Sequence, residues 1–149
     1  MILWNSQVSG NCYKVRLLLA QLGIPYERRE LSVVDRSNRA ELLGGKNPAL
    51  RVPTLELDDG RCLGESDAIL WYLGDGSRYV PEDAFERAQV LQWLFFEQYS
   101  HEPYIAADIG LYAYTHVAGE GGFELVRYPA VQAWLGRVAA QPGHVTIDA

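Results

Sequence analysis

Residues 6 to 16, SQVSGNCYKVR, set a thiol, hydroxyls and a carboxamide where a short extended run gives way to a helical pattern. A free thiol titrates near 8.5, and a hydrogen-bond donor beside the sulfur, aided by a helix N-terminus, stabilises the thiolate. Lowering the pKa by two corresponds to about 2.7 kcal/mol. Cys12 falls in the first turn of that helix and reads in two ways. It is either a low-pKa thiolate able to form a mixed disulfide or a small buried hydrophobe, the commoner role of a free cysteine.

Two other places could do chemistry. Glu65 and Ser66 follow Gly64 at the start of a second helical pattern. Unpaired N–H groups and the positive end of the helix dipole suit an anion there, with the serine hydroxyl as one more donor. A carboxylate fits this description, while the plainer reading is an ordinary capped helix start. In LRVPTL, residues 50 to 55, Pro53 deprives a short apolar strand of a backbone donor. Proline is tolerated at the first residue of a strand, which is the structural reading of that position. Cys62 lies on the outer strand of the following hairpin, and no CxxC pair is present. His101 and His116 have no partners at metal-ligand spacing, so no metal is expected.

Composition bounds what these residues can serve. The chain has 149 residues, of which 48% are hydrophobic and 21% charged. It should bury about two-thirds of its unfolded surface. There is no apolar run of the ~20 residues that a membrane span needs, and two cysteines make no disulfide scaffold. A soluble, unexported protein of the reducing cytoplasm is expected. The whole net charge of −6 falls after residue 80, where nine acidic residues meet three basic ones. With no basic stripe, neither nucleic acid nor an anionic membrane is an expected partner.

The elements that must position these residues follow from periodicity. MILW is a short strand, and residues 11 to 22 carry Val15, Leu18, Leu19 and Leu22 at helical spacing before Gly23 and Pro25 stop the helix. YERREL reads as a second strand, residues 35 to 43 as a short helix, RVPTLEL-DDG-RCLG as a hairpin and residues 65 to 73 as a helix. The first half is thus β-α-β-α-β-β-α. After the Gly, Ser and Pro residues around 74 to 81 the pattern is helical, with a helix from about 83 to 100 and another from Pro129 to about 140.

NPALRVPTL, followed by GESDAILWYL, resembles the glutathione-binding half of the cytosolic glutathione transferases, and YPAVQAWLGRV with QPGHV resembles the end of their helical half. The resemblance implies an α+β protein: a thioredoxin-like domain over residues 1–75, a linker over 76–82 and an all-α domain over 83–149. It implies that Val52–Pro53 is cis and that the Val52 backbone pairs with the cysteinyl backbone of glutathione like an added strand. It further implies that Ser66 takes the γ-glutamyl carboxylate and Glu65 faces the neighbouring ammonium. Ser9 matches the catalytic hydroxyl of serine-type classes, Asn11 the asparagine of a bacterial Thr-Pro-Asn type, and Cys12 lies one position after the cysteine of other bacterial members. Asn38 and Arg39, with Lys46, are candidates for the glycine end of glutathione.

The helical half departs from the family pattern. PYIA runs almost straight into ADIGLYAYTHV, so several tens of residues are missing by comparison. Ile105 stands where the family has a capping hydroxyl for Asp108. One long helix over 83 to about 117, kinked at Pro103, is the expectation, with an apolar face covered by a second copy in a homodimer. Trp93, Phe95, Phe96, Tyr99, Tyr104, Tyr112 and Tyr114 read as core or interface residues more than as a pocket for an apolar co-substrate. The leading expectation is a glutathione-binding protein that activates the thiolate for attack on an electrophile or a disulfide. A non-catalytic binding module and a covalent enzyme using Cys12 are the alternatives.

Overall fold

The computed structural model describes residues 1–96, 98, 112–113, 115–122 and 124–149. Tyr99, His101, Pro103, Tyr104, Ile105, Asp108 and Tyr114 lie outside the described residues. Alternating side chains in MILWN form strand β1, Ile2–Asn5, with Leu3 and Trp4 buried. Helix α1, Gly10–Leu22, follows, capped by the Ser9 side chain, which accepts from the Cys12 N–H, and closed by Gly23 at φ +65°. Strand β2, Glu27–Glu30, is parallel to β1 and fully exposed; its four charged side chains protect an edge.

Helix α2 is Arg39–Leu43, shorter than the helix expected from residue 35. The preceding residues form turns held by Ser32 and Asp35 side chains, which bond the N–H groups of Val34, Asp35 and Ser37 and so compete with helix formation. Strands β3, Thr54–Glu56, and β4, Cys62–Leu63, form the expected hairpin, and the sheet order is β2-β1-β3-β4. Helix α3, Ser66–Gly74, packs against α1. Leu3, Val15, Leu18, Leu19, Leu55, Ile69 and Leu73 form the main core between sheet and helices, each side chain contributing about 1.5–3 kcal/mol on full burial.

Helix α4, Ala84–Phe96, is capped by Asp83, whose carboxylate accepts from the N–H groups of Phe85 and Glu86. Arg87 ties it back to α3 by pairing with Asp75 and lying over the Trp71 ring. Beyond the chain that is not described, Ala118–Gly121 and Leu125–Arg127 are 3-10 turns and helix α5 is Pro129–Ala139, with proline in its first turn as expected. The described chain is helical to Phe96 and turns at His116 and Val117; the middle of the single long helix expected over 83 to 117 lies outside the described residues.

Helix α1 is not simply amphipathic. Cys12, Tyr13, Lys14, Arg16 and Leu17 are buried along with Val15, Leu18 and Leu19, whereas Leu22 is only partly buried. The reason is tertiary: one side meets the sheet and α3. Tyr13 and Leu17, on another side, pack with Tyr112, Trp134, Leu135, Val138, Val145 and Ile147 of the C-terminal half.

Candidate functional site

Three segments far apart in sequence converge beside β1. The first is the loop from Ser6 to the start of α1. Ser9 is its N-cap, its oxygen accepting from Cys12 N–H at 3.3 Å while its side chain also hydrogen-bonds the Cys12 sulfur. Asn11 is half-buried in the first turn. Cys12 is completely buried, its sulfur accepts from the Ser6 N–H at 3.3 Å, and burial pushes its thiol up. Ser9 and Arg16 pull in the opposite direction without prevailing. That environment matches the packing role of a free cysteine.

The second segment is the loop before β3. The Val52–Pro53 bond is cis, and β3 begins at Thr54, so the proline stands outside the ladder. Among the described residues neither the N–H nor the C=O of Val52 has a protein partner. That leaves a half-buried backbone donor and acceptor suited to an extended peptide. Asn47, which sequence reasoning passed over, shapes this loop. Its amide nitrogen donates to Arg51 O at 3.1 Å and Thr54 Oγ1 at 2.9 Å, and its oxygen accepts from Ala49 N–H at 3.0 Å. A side chain on Gly64 would meet that amide at 2.9 Å, which explains the glycine before Glu65.

The third segment is the start of α3. Glu65 has φ +60° and ψ 118°, a conformation an L residue rarely adopts, and its side chain is exposed. Ser66 is buried and donates to Asn11 Oδ1 at 3.4 Å, bringing together two candidates 55 residues apart. Beneath them is Lys14, also missed, whose ammonium donates to Ser66 Oγ at 3.3 Å and to Asp67 Oδ1 at 3.4 Å. The only sequence signal for Lys14 was its position one residue before Val15, inside a turn of helix that must face the core.

Asn38 and Arg39 are placed differently. Asn38 is exposed at the start of α2. Arg39 is buried and donates to Leu50 O at 2.9 Å and Ser32 O at 2.7 Å, so it braces the back of the loop carrying Val52. Lys46 pairs with Glu56 at 3.0 Å and lies against the Trp4 ring. His116 stacks on Tyr112 at 4.8 Å, and no group of metal-ligating side chains is present among the described residues.

The sheet, its helices and the cis-proline loop define a thioredoxin-like α+β domain followed by a small helical part. A family model described as glutathione S-transferase, N-terminal domain, matches residues 8–75. A solved glutathione S-transferase from Pseudomonas fluorescens is 40% identical with TM-score 0.91, the match covering 98% of this chain and 98% of that one. A possible glutathione S-transferase from Rhodopseudomonas palustris is 39% identical with TM-score 0.90, covering 99% and 97%. Among curated sequences, protein URE2 of Candida maltosa is 30% identical over 114 residues, 69% of this chain and 34% of that protein. The chain thus matches about a third of the length of that relative. The chain belongs to the glutathione S-transferase family.

Proposed function

We propose that the chain binds glutathione across the three segments and activates its thiol for attack on an electrophilic carbon or on a disulfide sulfur. The observation that carries this reading is the convergence of an unpaired Val52 backbone, the Ser66 hydroxyl at a helix N-terminus and Asn11 within 3.4 Å of Ser66. In this reading Val52 and Pro53 hold the cysteinyl backbone, Ser66 takes the γ-glutamyl carboxylate, and Glu65 faces its ammonium. The thiol then lies toward the start of α1. Ser9 and Asn11 are the candidate donors to the thiolate there, since each extra donor and the helix dipole favour the anion. Cys12 remains a third candidate from sequence, disfavoured by its burial. For the glycine end Asn38 is the exposed candidate, while Arg39 serves the loop instead.

Residues 1–75 are proposed to form the glutathione domain, 76–82 a linker and 83–149 the helical domain. Family membership further supports a homodimer working in the cytoplasm, with the exposed Trp93, Phe95 and Phe96 of α4 as surface for a second copy.

Calorimetric titration with glutathione, on the wild type and on Ser66→Ala, tests the reading. Saturable binding that weakens roughly tenfold in the variant is expected, as for loss of one hydrogen bond to a charged group. Absence of binding to the wild type overturns it.

A further inference from the structure

In the turn that leads into α1, each N–H and C=O of Ser6 and Gln7 is hydrogen-bonded within the protein. Ser6 N–H donates to the Cys12 sulfur, and Ser6 O accepts from Ser9 N–H at 3.1 Å and from Arg16 at 3.4 Å. Gln7 N–H donates to Glu30 Oε2 at 2.9 Å, and Gln7 O accepts from Arg16 at 3.2 Å. The Gln7 side chain donates to Ile147 O at 2.6 Å, the same carbonyl that takes an Arg16 N–H at 2.8 Å. Surface turns are ordinarily the least restrained parts of a fold. This one is gripped from α1, from the end of β2 and from the segment after α5.

Arg16 is the hub of that grip. It is buried, and its planar fork reaches Asn5 Oδ1, Ser6 O, Gln7 O and Ile147 O, a spread of acceptors that a point-like ammonium does not span. Among the described residues its charge meets no carboxylate directly. Asn5, fully buried, accepts from Arg16 and donates to Glu30, its register partner on β2, so one amide links cation to anion. Glu30 also pairs with Arg28 at 3.0 Å.

The turn ends at Ser9, whose side chain takes the Cys12 N–H and bonds the Cys12 sulfur. A ligand thiolate is charged and therefore the stronger acceptor, and it draws the hydroxyl by rotation about its C–O bond. That exchange succeeds only if the serine is held within about 0.5 Å of its productive place.

We propose that Arg16 is a positioning residue that, with Glu30 and the Ile147 carbonyl, fixes the Ser6–Ser9 turn so that the Ser9 hydroxyl meets the ligand's sulfur. This rests on the glutathione reading above and deepens it. A segment 131 residues from Arg16 becomes part of the frame of the thiol site.

The test reads two quantities on folded protein. Ultraviolet thiolate absorbance against pH gives the pKa of bound glutathione's thiol, and calorimetry gives the affinity for S-methylglutathione, which keeps the peptide and has no thiol to ionise. Ser9→Ala should raise the bound thiol's pKa by about one, as for loss of one hydrogen bond to a charged group. Arg16→Met should raise it as far, keep S-methylglutathione affinity within about twofold, and add nothing in a double variant with Ser9→Ala, because both act through one hydroxyl. Arg16→Lys should fall between wild type and Arg16→Met, since the charge remains and the fork is lost. Glu30→Gln and Gln7→Ala each loosen one anchor with the arginine in place, so they carry the test if Arg16→Met does not fold; each should raise the pKa by a smaller amount. An unchanged thiol pKa in Ser9→Ala, in folded Arg16→Met or in both milder variants overturns the proposal, as does a rise in Arg16→Met that adds to that of Ser9→Ala. A rise matched by an equal loss of S-methylglutathione affinity makes Arg16 a support of the fold alone and overturns it too. A wild type that binds neither ligand overturns the glutathione reading, and this proposal with it.

Discussion

Glu65 is the residue where local strain and proposed chemistry meet. Its φ of +60° with ψ 118° costs an L residue on the order of 1–3 kcal/mol. A glycine would adopt that conformation freely, at the expense of more chain entropy in the unfolded state. Glu65→Gly is therefore expected to leave thermal stability unchanged or raise it by about 1 kcal/mol while weakening glutathione binding. Calorimetry and a melting curve on the same sample check the two together, and a variant that loses stability as well would mean that the side chain has a structural partner. Cys12 shows the opposite balance. Its place in the first helical turn suggested a lowered pKa, but the dipole is outweighed by complete desolvation of the sulfur.

At the scale of elements, the loop from Asn47 to Pro53 is held by side chains more than by backbone pairing. Asn47 satisfies three polar partners from a buried position, and Arg39 fixes the Leu50 carbonyl from α2. Asn47→Ala leaves Thr54 and the Arg51 carbonyl without the Asn47 donor and should destabilise the protein by about 1–3 kcal/mol. Because that loop presents Val52, glutathione affinity should fall further than in a variant of equal stability loss elsewhere. Denaturant unfolding combined with calorimetry measures both. The C-terminal turn is equally constrained. Gly143, at φ +77°, sits so close to α1 that a Cβ would meet the Ala20 carbonyl oxygen at 2.8 Å.

At the scale of the molecule, the C-terminal segment is tied to the loop that precedes α1. Buried Arg16 donates to Asn5 Oδ1, the carbonyls of Ser6 and Gln7, and Ile147 O at 2.8 Å, while Tyr13 donates to Val145 O at 2.8 Å. His144 lies edge-on to Tyr112 in the same region, and burial with His116 nearby pulls its pKa below the ordinary value of about 6.5. The folded state therefore binds fewer protons than the unfolded chain below that value. Stability is full above it and declines as pH falls through the lowered folded pKa. The melting temperature should drop between about pH 7 and pH 5, and His144→Gln should flatten that dependence. For the proposed homodimer, light scattering should give twice the 16.7 kDa chain mass, and Phe95→Glu should shift it toward one copy; a wild-type mass of one chain refutes the dimer.

The amino-acid sequence by itself determined the order of strands and helices, because hydrophobic period, glycine stops and proline starts are local signals. It also marked Val52, Pro53, Glu65 and Ser66, since a proline in a strand and a serine at a helix start stand out without knowledge of their neighbours. Only the tertiary structure decided that Ser66 meets Asn11, that Lys14 and Arg16 are buried and hydrogen-bonded, and that Arg39 braces a loop. Two lysines with the same flanking pattern look alike in sequence, and what separates them is whether distant segments close over one and supply acceptors. For Lys14 those acceptors come from α3, more than fifty residues away. Burial and pairing of charge are properties of the packed chain, which no local pattern encodes.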